Sequence, residues 1–310
     1  MAVAEAAPAP APAPASPGPA EAIAARSRTA ALRRFCRQQP LGAVSLVVIL
    51  AMMVAGLLSE VVAPYDPLAI DFAGILSPPS WQHWAGTDAF GRDVFSRLIH
   101  GSRTALVIGF ASSFLGSTIG AVLGAASAYF GGRIDDLIQR LVDILLAFPL
   151  IVLALVVVAV LGKGLVLGID VNLICAIAIP IVPRVARVVR AAALSVRVMP
   201  YIDAARAAGY SHVRIVFRHM APNLVAPYLI MLTAHIAQAI LLEASLSFLG
   251  LGVAEPTPAW GLMLSGNASD FFREAPWLIL FPGLAISLAV FAFNLFGDSL
   301  RDWLDPRFKL

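Results

Sequence analysis

The sequence predicts an all-α polytopic membrane protein with six transmembrane helices. Three observations carry this expectation. The 310-residue chain is 59% hydrophobic and 13% charged, where a soluble domain carries about 25% charged residues. Its apolar residues gather into long uncharged runs, and about 20 such residues cross a bilayer as a helix. Its cationic residues fall in blocks between those runs. Backbone groups in lipid must be satisfied internally, which leaves helices or closed barrels, and long unbroken apolar runs do not fit a barrel's alternating pattern.

Residues 1–25 form an Ala/Pro-rich tail, expected to be disordered because it can bury little surface. A basic patch follows, with Arg26, Arg28, Arg33, Arg34 and Arg37. Residues 38–59 are 22 consecutive uncharged positions, too many for the 7–15-residue core of a signal peptide. They are read as an uncleaved first span, so that residues 26–103 hold one transmembrane helix and an external loop. Residues 104–310 then form a five-helix core. Its clear spans are 104–132, 144–162, 219–242 and 275–297. A weaker one covers roughly 165–183, where Asp170 interrupts the run and Pro180 and Pro183 sit near its end. The 133–143 segment is expected to be a connecting loop.

Charge decides whether the weak span counts. With six spans and both termini cytoplasmic, 17 of the 22 Arg and Lys fall inside and 5 outside, as the positive-inside rule requires. Omitting the weak span would place seven arginines of residues 184–218 outside.

Within the second span, Ser112, Gly116, Gly120, Gly124 and Ala128 recur every four residues. Such a small-residue stripe lets helices approach closely, within the chain or against a partner. The two cysteines, Cys36 and Cys175, are read as free thiols. No Cys/His cluster suggests a metal site, and no cofactor is expected.

The 184–218 loop carries the most information. Arg184, Arg187 and Arg190 extend the fourth span with a basic face suited to lipid headgroups. After Met199-Pro200, the Ala-rich segment Tyr201–Ala208 favours helix, with Asp203 in its first turn, where the dipole welcomes an anion. Gly209 is a natural C-terminal stop. Ser211 suits the N-cap of a second helix reaching Met220, and Pro222 opens the fifth span. Small side chains at Ala204, Ala205, Ala207 and Ala208 would let another protein's groove come close. Composition alone serves a membrane-surface helix equally well.

Asp203-Ala204-Ala205, three residues, Gly209, nine residues, then His219-Met220-Ala221-Pro222 resembles the EAA loop of bacterial ABC import permeases, with Asp for Glu, His for Ile and Ala for Leu. "GTDAFGRDVFSRLIHGSRTAL" (86–106), "EASLSFLGLGVAEPTPAWG" (243–261) and "FPGLAISLAVFAFNLFGDSLRDWLDPR" (281–307) look like the C-type permease subunit of dipeptide/oligopeptide/nickel importers, in order, over about residues 35–308. The resemblance implies a type I importer permease (MetI-like) architecture in the bacterial cytoplasmic membrane. It implies a sister permease, two ATP-binding cassette ATPases, and an extracytoplasmic substrate-binding protein. It also implies an ATPase-coupling element at about 199–223 using Asp203, Ala204, Ala205, Gly209 and Pro222. A bulky acid at Ala205 is then expected to abolish docking while leaving the spans intact.

The chain cannot energise itself. A P-loop needs GxxxxGK[ST], and of the two lysines, Lys163 precedes Gly164 and Lys309 is penultimate. It is therefore not expected to be an enzyme. Glu243 lies about 31 Å along a helix from Pro222, near the outer surface, as a structural acid or as a contact with the passage or outer gate. His235, eight residues earlier, reads as a satisfied interior histidine. Asn294 and Asp298 are expected to pack or cap at the inner end of the sixth span, ahead of a terminal helix with charge pairs among Asp298, Arg301, Asp302 and Asp305. Trp260 and Trp277 are interfacial anchors or line an entrance. The competing class is an autonomous secondary transporter, which calls for internal repeats and midplane ionisable groups. The substrate, whether peptide, nickel or another small solute, is not named by these motifs.

Overall fold

The uncharged runs become helices, and several charged or polar residues between them become caps. The computed structural model describes residues 35–166 and 169–304. The Ala/Pro tail, Arg26 to Arg34, and Asp305, Arg307 and Lys309 lie outside the described residues. Two units divide at Pro40. Of the first, the described part is a short turn in which the Gln39 N–H donates to the Phe35 carbonyl at 2.8 Å. Both cysteines are free thiols.

From Leu41 onward the chain forms one unit. Its elements are α1 (Pro40–Leu57), α2 (Ser59–Val62), α3 (Val94–Phe130), α4 (Gly132–Leu146), α5 (Leu150–Leu161), a hairpin of β1 (Leu165–Val166) and β2 (Ile169–Asp170), α6 (Val171–Ala178), α7 (Val182–Arg197), α8 (Pro200–Ala207), α9 (His212–Phe248), α10 (Trp260–Leu264), α11 (Asn267–Asp270) and α12 (Trp277–Leu304). Among the described residues, α1, α3, α9 and α12 are each long and apolar enough to cross a membrane, and two bent pairs bring the number to six. The pairs are α4–α5, bent by 95°, and α6–α7, bent by 48°.

The weak sixth run owes its weakness to this construction. Asp170 does not interrupt a helix. It caps one, its carboxylate accepting from the Asn172 and Leu173 N–H groups. The bend between α6 and α7 falls beside Pro180 and Pro183, whose missing N–H groups remove ladder hydrogen bonds.

Three expectations change. Residues 133–143 are helical, because Gly131 and Gly132 (φ +67° and +54°) turn the chain sharply out of α3 and a new helix starts at once. The proposed boundary at 103/104 falls inside α3, which Asp93 caps through the Ser96 N–H at 2.7 Å. At 37 residues, α3 is about 55 Å long and outreaches a ~30 Å hydrocarbon layer. Pro222 does not open a helix either. The chain is helical without a break from His212 to Phe248, widening to a π turn over Ile215–Met220 just before the proline. There the Ala221 N–H reaches back to the Val216 carbonyl. Proline cannot donate to the fourth residue back, and a local widening absorbs that loss without ending the helix.

The small stripe is spent inside the chain. A Cβ at Gly116, Gly120 or Gly124 would stand 2.6, 2.6 or 2.4 Å from the carbonyl oxygens of Ala178, Val182 and Ala186. The two fourfold ladders match, so α3 lies backbone-to-backbone on the end of α6 and on α7. This seam joins one core, with Ile177, Ile181, Val185 and Val189 fully buried. A second core gathers α1, α3, α9, α10 and α12 around Ile240, Trp260 and Phe293.

Candidate functional site

At the arginine-rich end, α8 begins with Pro200 in the first turn and Asp203 exposed, ion-paired to Arg206 at 3.0 Å. It ends in a Schellman motif: the Gly209 N–H donates to the Arg206 carbonyl (3.0 Å) and the Tyr210 N–H to the Ala205 carbonyl (3.2 Å). Gly209 has φ +74°, the left-handed conformation that favours glycine. Ser211 then caps α9 by accepting from the Arg214 N–H. Both local expectations, the glycine stop and the serine cap, are met.

The alanines divide. Ala204, Ala207 and Ala208 are exposed, together with Tyr201 and Asp203, whereas Ile202 and Ala205 are buried. Ile202 and Ala205 pack into the core that also holds Ile215 and Met220. Ala205 therefore turns into this chain's own core and not toward the exposed face. It faces inward because it lies three residues from Ile202, the one buried aliphatic side chain in the helix, and helical positions three apart share a face. A bulky acid there would attack this chain's own packing.

The loop is braced from far along the sequence. Tyr129, at the end of α3, shares a 2.8 Å hydrogen bond with His212, and Arg206 lies over the Tyr129 ring. Arg197 donates to the Ala128 carbonyl at 2.8 Å. His219 stacks on Tyr210 with ring centroids 5.7 Å apart, and Arg214 covers Tyr210 at 4.1 Å. Beside them, Arg190 holds Asp135 bidentately at 2.5 and 2.7 Å and Arg187 pairs with Asp143, clamping α4 to α7. Sequence reading gave Arg187 and Arg190 to lipid headgroups. Their carboxylate partners lie 44 and 55 positions away, beyond the reach of any local pattern.

At the opposite end, the 86–106 and 243–261 motifs fasten to each other. Arg92 bonds Asp88 at 2.6 Å and Glu255 at 3.1 Å, and the buried Arg97 approaches Glu255 at 3.7 Å. Thr104 donates to the Pro258 carbonyl, and the Trp260 indole N–H to Leu98, both at 2.9 Å. Gly101 makes room for that indole: a Cβ there would sit 2.7 Å from Trp260 Cδ1. Trp277 donates to the Thr87 carbonyl at 3.1 Å. Trp260 is thus a buried strut and not an interfacial anchor.

Glu243, near the far end of α9 from Asp203 and Gly209, is fully buried. Its Oε1 accepts from Ser247 at 2.7 Å, and Ser247 Oγ in turn accepts from the Val253 N–H at 3.1 Å. In this conformation it lines no open surface. His235 is also buried, with Nδ1 2.6 Å from the Met231 carbonyl, as an interior histidine should be. Asn294 and Asp298 are exposed, and neither makes a side-chain hydrogen bond among the described residues. Among the described residues, Arg301 forms no ion pair with Asp298 or Asp302, and no three His, Cys, Asp or Glu side chains gather to hold a metal ion.

Comparison with known proteins meets this geometry. Residues 116–310 match the family model described as the binding-protein-dependent transport system inner membrane component, and residues 29–79 match the N-terminal TM domain of oligopeptide transport permease C. The glutathione transport system permease protein GsiD of Escherichia coli O6:K15:H31 is 45% identical over 89% of each chain. The dipeptide transport system permease protein DppC of Alkalihalophilus pseudofirmus is 40% identical over 88% of each. A chain of the solved MetNI methionine ABC transporter, in inward-facing conformations, aligns with 18% identity and a TM-score of 0.49, over 66% of this chain and 96% of that one. With a family model spanning well over half its length, and relatives this similar over nearly all of it, the chain belongs to the binding-protein-dependent transport system inner membrane components: it is a multi-pass permease subunit of an ABC importer.

Proposed function

We propose that this permease carries peptide-type solutes into the cell, that it forms the passage with a sister permease, and that partner ATPases drive it through α8. The carrying observation is the division of α8. One face (Ile202, Ala205) is sunk in the core, and the other (Tyr201, Asp203, Ala204, Ala208) is exposed, its alanines small enough for a protein groove to close over. A helix anchored this way transmits a push to α7 and α9 without swinging free. Pro222 belongs to the same device, because the π turn before it lies in the first turns of α9, at the end nearer α8 in the chain. Two ATP-binding cassette subunits supply the hydrolysis that a chain without a P-loop lacks, and a substrate-binding protein delivers solute to the opposite face. Both termini then lie in the cytoplasm.

The solute class rests on the relatives. One is named for glutathione and one for dipeptides, and glutathione is itself a tripeptide. Glu243 acts in this scheme as a fastening between the end of α9 and the following loop. The test is co-purification from gently solubilised membranes, with ATP-driven uptake of labelled dialanine and glutathione in parallel. ATPases and a second permease should accompany the wild-type chain, and an Ala204→Glu variant should lose the ATPases and the uptake together. A chain that purifies alone and transports without ATP would overturn the proposal in favour of a secondary transporter.

A further inference from the structure

Partway along α9 and α12, polar groups gather where lipid would not reward them. His235, Gln238 and Asn294 line a recess of about 320 Å³, given its depth by the small side chains of Ala234 and Ala237. Gln238 lies about 24 Å along the helix from Pro222 and about 15 Å from Phe248, well within the hydrocarbon layer. The frame is firm: one turn from Asn294, a Cβ at Gly297 would stand only 3.2 Å from Thr233 Oγ1. His235 Nδ1 is committed to the Met231 carbonyl, leaving Nε2 as the ring's remaining hydrogen-bonding atom. The amides of Gln238 and Asn294 make no side-chain hydrogen bond among the described residues.

Unpartnered amides are costly in hydrocarbon. Polar side chains within spans therefore turn to a bundle interior or a water-filled cavity. A recess of this size is also at the lower end of what binds small solutes. Resting on the permease reading above, we infer that the recess is a subsite of the passage, an uncharged surface that takes the amide groups of a peptide-like solute in transit. The chemistry suits that class. Two carboxamides each donate and accept, as a peptide bond does. Apart from the His235 imidazole, no acidic or cationic side chain lines the recess to trap a charged solute and prevent release.

The test uses the whole transporter in membranes, with Cys36 and Cys175 replaced by serine. Gln238→Cys, Asn294→Cys and, as an exposed apolar control on α12 outside the recess, Leu288→Cys are each treated with a small cationic methanethiosulfonate. The first two should react roughly tenfold faster than the control, because water reaches them. Saturating dialanine, with binding protein and ATP, should slow their reaction about threefold by occupying the recess. Equal, slow reaction at all three positions overturns the site, as does ready disulfide formation with a cysteine of the sister permease that dialanine leaves unchanged. A reactivity contrast that dialanine does not alter overturns the ligand class. An intact contrast in a transporter whose cysteine-free parent shows no ATP-dependent dialanine uptake overturns the functional reading instead.

Discussion

At the scale of single residues, the EAA-like loop separates surface from support. Ala204→Glu changes an exposed position, and such changes cost about 0.5 kcal/mol or less. Its melting temperature in detergent should match wild type while ATPase co-purification falls at least about tenfold, which is ~1.4 kcal/mol of docking. Ala205→Glu would bury a carboxylate against Ile202 and Met220, a cost of several kcal/mol. It should reduce the amount of folded chain recovered, with or without ATPases present. Equal melting temperatures for the two variants would refute this division of α8. Gly209 is a different case. Nothing lies within 4 Å of a Cβ there, yet φ is +74°, so any cost is conformational, and about 1–2 kcal/mol for a residue disfavoured in the left-handed region. Gly209→Asn should therefore keep most ATP-driven uptake and Gly209→Val should lose much more of it, an order that a steric clash would not produce. Gly209 and Ser211 were legible in the sequence because caps are local. The inward turn of Ala205 had a signal as well, its spacing from Ile202, but two pairs of alanines on either side of Arg206 hide which of the four that spacing selects.

At the scale of elements, the seam between α3 and the α6–α7 pair carries the fold. The stripe of Gly116, Gly120 and Gly124 announced close packing, but only the structure names the partner: three carbonyls spaced by the same four residues. Sequence periodicity shows that a helix has a narrow face and not what lies against it, since the partner is about 60 positions away. Gly120→Leu should force the helices apart and cost about 1–3 kcal/mol, the usual penalty for overpacking, visible as a lower melting temperature in detergent. Gly283→Ala, with nothing within 4 Å of its Cβ, should leave it unchanged. The connections were less legible for the same reason. Asp135 and Asp143 looked like loop charges until α4 proved helical and brought them to Arg190 and Arg187. The spans of α1, α3, α9 and α12 needed no such help, because an apolar run of sufficient length specifies its own hydrogen bonds in lipid.

At the scale of the whole molecule, the side of the membrane that the α5–α6 connection occupies distinguishes two arrangements. If each bent pair crosses once, there are six spans and Lys163 faces outward. If both pairs turn back within the membrane, there are four, and the connection returns to the arginine-rich side. Both arrangements keep the termini together, and both keep residues 184–218 on the arginine-rich side. Of all the cationic residues, only Lys163 changes sides, so charge distribution cannot separate the two. Helix length favours six. The 12 residues of α5 reach about 18 Å, short of a ~30 Å core. Across the 95° break at Phe148-Pro149, however, α5 and the apolar end of α4 together are long and apolar enough for one span. The α6–α7 pair, with its milder 48° bend, covers residues 171–197, or about 40 Å of helix. A Lys163→Cys variant lacking Cys36 and Cys175 should therefore react with an impermeant thiol reagent added outside intact cells, while an Arg214→Cys variant should react only after the membrane is opened. Protection of Lys163→Cys until the membrane is opened would mean four full spans and two re-entrant pairs. The seam of α3 against α7 would then lie partly at the membrane surface, and α8 would be levered by a hinge at the bilayer face and not by a helix that crosses it.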